Sequence, residues 1–95
     1  METVTLKVNG NPDLSFTGQM MARERDPQTG ITSVVYETPK GNWLVARINL
    51  SSILIDYKVI EEKSEKALIE YLGFDNIAKA IYEQLDIDTT NKMDI

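Results

Sequence analysis

The 95-residue chain contains no cysteine and no histidine. Without thiols there are no disulfides, no thiolate nucleophiles and no Cys/His zinc sites, and without imidazole every mechanism built on a histidine base is excluded. A cysteine-free chain suits the cytoplasm. Positive charge is also scarce, with ten Lys and Arg against fifteen Asp and Glu, a net charge of −5. Phosphate-backbone binding needs clustered cations, so no nucleic-acid partner is expected. No apolar run approaches the roughly 20 residues that span a bilayer, and Met1-Glu2-Thr3 leads into an alternating strand, so neither a membrane partner nor a signal peptide is expected. The five glycines are isolated turn or strand residues, which leaves no phosphate-cradling loop.

What remains is ordinary soluble composition, 42% apolar and 26% charged, in a length that makes one domain over residues 1–95. The most informative stretch is Val34 to Ile48. Thr38-Pro39-Lys40-Gly41-Asn42 reads as a hairpin turn: proline sets φ at the first corner, and glycine takes the left-handed position that closes a three-residue loop with a bulge. That register pairs Glu37 with Trp43, Tyr36 with Leu44, Val35 with Val45 and Val34 with Ala46. Alternation then gives two faces. Val34, Tyr36, Leu44, Ala46 and Ile48 form an ordinary core face. Val35, Trp43 and Val45 share the other with Ser33, Glu37 and Arg47. That second face is too apolar to be left to water, because burying each of the three large side chains contributes roughly 1.5–3 kcal/mol. The expectation is that the N-terminal segment or a second copy of the chain covers it, with Val35, Glu37, Trp43, Val45 and Arg47 as an interaction surface.

The remaining chain supplies more strands and then helices. Thr3–Val8 alternates. Leu14–Arg25 alternates too, with Leu14, Phe16, Gly18, Met20 and Ala22 on one side, and Gly18 marks a bulge or a close backbone approach. Asn9–Asp13, Asp26–Gly30 and Asn49–Ser52 are connections, and Ile53–Ile60 is a fifth strand. The period then changes. Ser64 caps a helix over Glu65–Leu72 with Leu68, Tyr71 and Leu72 inward; Gly73 ends it, and Phe74 is placed to close against Ile69. Asp75 caps a second helix, Asn76 to about Leu85, with Ile77, Ala78, Ile81 and Leu85 as its stripe. The fold class is α+β: a five-stranded antiparallel β-meander followed by two short helices packed on one face, with a loose tail over 88–95.

Phe16-Thr17-Gly18-Gln19-Met20-Met21-Ala22, the hairpin Val35–Val45, Leu72-Gly73 and the late segment Glu83-Gln84-Leu85-Asp86-Ile87 together resemble the small bacterial EXLDI family, named for a C-terminal Glu-x-Leu-Asp-Ile motif. The resemblance covers most of the chain from Phe16 onward. It makes Glu83, Leu85, Asp86 and Ile87 the family motif and implies no particular reaction. The family carries its motif at the extreme C-terminus, whereas eight residues follow it here, and the last residues given, Met93-Asp94-Ile95, read as a degenerate counterpart.

Other constellations carry less. Asp86, Asp88 and Asn91 are spaced like part of a calcium loop but lack its central glycine and closing glutamate. Glu61, Glu62 and Glu65 suit the positive end of a helix. Helix, Gly73, helix has the outline of a DNA-binding motif, yet the second helix offers only Lys79 as a cation. Arg23, Arg25, Lys40 and Arg47 make a basic edge that protects the sheet. The expectation is therefore no catalytic residue, no metal and no cofactor: a small non-enzymatic interaction or regulatory module, a homodimer through the sheet. The alternative is an acidic, antitoxin-like inhibitor that occupies a basic site on a partner protein. An enzyme or small-ligand binder using carboxylates and Tyr36, Tyr57, Tyr71 and Tyr82 between sheet and helices is the remaining possibility.

Overall fold

The turn at Pro39–Gly41 organises the chain. In the computed structural model, which describes residues 1–94, Gly41 has φ of +81° and the Thr38 N–H donates to the Asn42 carbonyl at 2.9 Å. Left-handed backbone at this corner is what glycine permits without strain. The turn fixes the register between β3 (Thr32–Glu37) and β4 (Trp43–Ile48): Glu37 faces Trp43, Tyr36 faces Leu44, Val35 faces Val45 and Val34 faces Ala46, as the turn chemistry predicts.

Around the hairpin the sheet is an antiparallel meander in the order β1-β2-β3-β4-β5. β1 is Glu2–Leu6, β2 is Leu14–Arg25 and β5 is Leu54–Ile60. The first half of β2 pairs with β1 and the second half with β3. Between the halves the chain passes Gly18, where a Cβ would lie 3.2 Å from the Glu37 carbonyl oxygen and 2.9 Å from the Phe16 ring. Gly18 is thus a close approach, and the bulge falls three residues later, where Met21 is the extra residue between Met20 and Ala22. The sheet curls so that β1 folds over one face, and the Leu54 N–H donates to the Lys7 carbonyl at 2.8 Å, tying the end of β1 to the start of β5.

Each face of the hairpin is closed within the chain, by a different segment from the one the alternation suggested. β1 and the first half of β2 cover the inner face, where Leu6, Val34, Tyr36, Leu44 and Ala46 are buried with Val4, Leu14 and Phe16 against them. Phe16 meets Tyr36 edge-on at 5.2 Å. The helices cover the other face. Val35 and Val45 have no exposed surface and Trp43 has 8%, packed with Ala22, Ile60, Leu68, Ala78, Ile81 and Tyr82. The proposed coverings of the Trp43 face, an N-terminal segment or a second copy, are corrected accordingly. Ala22 also leaves the face it shares by simple alternation with Leu14 and Phe16, because the bulge at Met21 turns it toward the helices.

After β5 a 3₁₀ turn, Glu61–Lys63, brings the chain across to the helix side. Helix α1 is Glu65–Leu72 and α2 is Asn76–Gln84. The Ser64 hydroxyl accepts from the Ala67 N–H at 3.2 Å and the Asp75 carboxylate from the Ala78 N–H at 2.8 Å, so both expected N-caps form. Gly73 closes α1 with φ of +77° and an N–H bond to the Ile69 carbonyl. Phe74, expected to close against Ile69, follows directly after Gly73. It is exposed and lies edge-on to Tyr82 at 6.5 Å. Tyr82 replaces Ile77 and Leu85 among the fully buried residues of α2, and its hydroxyl donates to the Gly73 carbonyl at 2.6 Å. Residues 88–94 have no regular structure; the reading that places Ile95 in a degenerate motif lies outside the described residues.

Candidate functional site: the edge and inner face of β5

The residues expected to form an interaction surface do not form one. Val35, Trp43 and Val45 are core. The charges beside them, which gave their face its mixed look, sit on its rim and are tied down. Glu37 accepts from Lys63 Nζ at 2.6 Å. The Arg47 guanidinium lies 5.0 Å from the centre of the Tyr71 ring and 3.7 Å from Asp56. Asp56 also accepts from the Tyr71 hydroxyl at 2.7 Å. Burial, then the hydrogen bond and charge of Asp56, push the Tyr71 hydroxyl up to about 12, with Arg47 acting in the opposite direction. Burial likewise raises Tyr36 and Tyr82, the first opposed by Arg23 and the second reinforced by Asp75. The four tyrosines do not converge. Tyr71 and Tyr82 belong to the helix side, Tyr36 to the inner face and Tyr57 to the open side of β5.

Glu83–Ile87, one of the four segments compared with the EXLDI family, spans the end of α2 and the turn after it. Asp86 takes the left-handed conformation at φ +60°, its N–H bonds the Glu83 carbonyl, and the Ile87 N–H bonds the Tyr82 carbonyl at 2.9 Å. This is a Schellman closure with aspartate at the position glycine usually fills, and Ile87 buries itself beside Tyr82. Gln84 does a different job. Its amide accepts from the Arg23 N–H at 2.8 Å and donates to the Arg23 carbonyl at 3.0 Å, so it caps the second half of β2 where β1 no longer pairs. Asp88, the middle member of the calcium-like run, accepts from the Thr90 N–H and pairs with Lys92 at 3.2 Å, and the Thr90 bond is the main cause that lowers its carboxyl.

The basic edge is not one edge. Arg23 and Arg25 line a cleft of about 310 Å³ at one end of the inner face together with Lys7, whereas Arg47 is on the helix side. The acidic excess is equally uneven. Residues 1–60 hold six acidic and six basic residues, and residues 61–95 hold nine acidic and four basic. The whole net charge therefore sits on the helical half.

The open apolar surface is at β5. Ile55, Tyr57 and Val59 are 49%, 48% and 47% exposed, and Asp56 and Lys58 between them are exposed too. Beyond Leu54, which bonds the Lys7 carbonyl, the strand is paired on one side only, to β4. Its inner face continues into an apolar groove formed by Phe16, Pro39, Leu44 and Val59. The sheet has two edge strands, and β1 presents Glu2, Thr3 and Thr5 to water while β5 presents a branched aliphatic, an aromatic and another branched aliphatic. Alternation in the sequence marks Ile55, Tyr57 and Val59 as one side of a strand. It does not mark them as uncovered, which follows from β1 meeting β5 only at its start, at Leu54. Among the described residues no helix is long and apolar enough to cross a membrane. Comparison with protein families, with curated proteins and with solved structures gives no match.

Proposed function

We propose that this chain is a small, non-catalytic interaction module of the cytoplasm that associates with itself through its sheet. The observation that supports the reading is the uncovered strand β5, with Ile55, Tyr57 and Val59 about half exposed on an unpaired edge. Long, apolar, unpaired edges are what soluble proteins ordinarily blunt with charge, proline, a bulge or a covering element, and what binding modules keep open. The edge of β2 is blunted here by Gln84, and β1 by polar residues. β5 keeps Lys58, a bulge at Ile55, and Asp56, which is engaged by Arg47 and Tyr71. The chemistry of the remaining side chains agrees. The tyrosines with raised pKa values are explained by packing and by Asp56 and Asp75, and the carboxylates cluster on the helical surface. The likeness to the EXLDI family belongs to the same proposal and names no partner.

The second reading, an acidic inhibitor, is favoured by the confinement of the net charge to residues 61–95. One experiment separates the two. Light scattering across a wide concentration range is expected to show mass rising from monomer to dimer, with the rise surviving added salt because apolar contact supplies most of it. A strict monomer at every concentration contradicts self-association and leaves the acidic surface as the better candidate.

A further inference from the structure

We infer that the partner on β5 is the β5 strand of a second copy, laid antiparallel about a two-fold axis through Tyr57. This inference rests on the self-association proposed above and adds its geometry.

The open window and the charges select the same centre. The Leu54–Lys7 hydrogen bond closes the edge at Leu54, and at the other end Ile60 is buried and the chain turns away at Glu61. The stretch free to take a new strand is therefore Ile55–Val59, and its middle residue is Tyr57. Backbone direction agrees. The Thr38–Asn42 hydrogen bond sets the alternation along β4, so Trp43, Val45 and Arg47 bond β5 through Ile60, Lys58 and Asp56. Tyr57 and Val59 then turn their N–H and C=O groups outward, where a strand can meet them.

A two-fold at Tyr57 places Tyr57 opposite its own copy on the inner face, with Val59 beyond it facing the partner's bulged Ile55. On the helix side it places Asp56 opposite the partner's Lys58, and Lys58 opposite the partner's Asp56. Opposite charges directly across an antiparallel pair stabilise it and like charges oppose it. Centring on Asp56 or on Lys58 would set each of those charges against its own copy. Among the described residues Lys58 has no ion-pair partner within its own chain. The pairing also continues the inner-face groove across the axis, because Val59 lines it in each copy.

The chain has no native cysteine, which makes the test direct. At the axis, Tyr57→Cys puts two sulfurs on strands whose Cα atoms are about 5.5 Å apart, within disulfide range. One residue on, Lys58→Cys has the same exposed setting, but its two-fold copies are roughly 8 Å apart across the ribbon, beyond that range. Under copper–phenanthroline oxidation Tyr57→Cys is expected to form a covalent dimer severalfold faster than Lys58→Cys. By light scattering, Lys58→Glu is expected to weaken association about tenfold, since it replaces two attractive pairs with two repulsive ones. Equal cross-linking of both cysteine variants, with a dimer that Lys58→Glu leaves intact, overturns this pairing while self-association stands. A chain that stays monomeric at all concentrations overturns both.

Discussion

Val45→Lys is expected to abolish cooperative unfolding, leaving no sharp thermal or urea transition in circular dichroism. Val45 is fully buried at the centre of the sheet, between Val35 on β3 and Lys58 on β5, with the helices above it. Among the described residues no carboxylate is buried with it. An unpaired charge there costs several kcal/mol, a large part of the roughly 5–14 kcal/mol that holds a domain of this size together. The matching change on the open strand, Val59→Lys, is expected to shift stability by about 1 kcal/mol or less, because that side chain already meets water. The contrast decides which valines are core. Were the Val35–Val45 side of the hairpin an intermolecular surface, Val45→Lys would leave a folded monomer and remove only association.

Leu68→Ala is expected to destabilise the chain by about 2–5 kcal/mol and to lower the thermal midpoint by roughly 10–30 °C. Leu68 is the single buried residue of α1, and it packs beneath the helix against the Trp43 side of the sheet. A helix of eight residues does not persist in water without such an anchor. The remaining contacts of α1 are at its margins: the Tyr71 hydroxyl on Asp56, Arg47 over the Tyr71 ring, and Ala67, Ile69 and Leu72 half-buried around the cluster. Loss of helical signal ahead of the main transition, together with a red shift of Trp43 emission, would show α1 lifting off before the sheet opens.

Much of this fold is legible in the residue order, and the reasons are local. Pro39 and Gly41 specify a turn, the turn specifies the register, and the register assigns every hairpin side chain to a face. Ser64, Gly73 and Asp75 mark the helix ends by the same kind of short-range chemistry. What alternation cannot supply is which layer lands on which face. Glu37 and Arg47 make the Trp43 face look like surface, yet they sit at its rim and are satisfied by Lys63, Asp56 and Tyr71, all distant in sequence. The bulge at Met21 moves Ala22 to the helix side, and no residue in that stretch announces it. The same blindness hid β5. Ile55, Tyr57 and Val59 read as half-buried strand, and only the closure of the sheet by β1 at Lys7 shows that nothing covers them beyond Leu54. The 3₁₀ turn at Glu61–Lys63, with Glu62 and Lys63 at positive φ, likewise has no glycine to signal it.

One chain seals the tryptophan side of its sheet with its own helices, so any self-association belongs to β5. Acrylamide quenching of Trp43, the sole tryptophan, tests this seal when measured first on dilute monomer and again at concentrations where the mass has doubled. A blue-shifted, weakly quenched indole is expected at both concentrations. An indole as quenchable as free tryptophan in the monomer, gaining protection only as the chains associate, would contradict the seal.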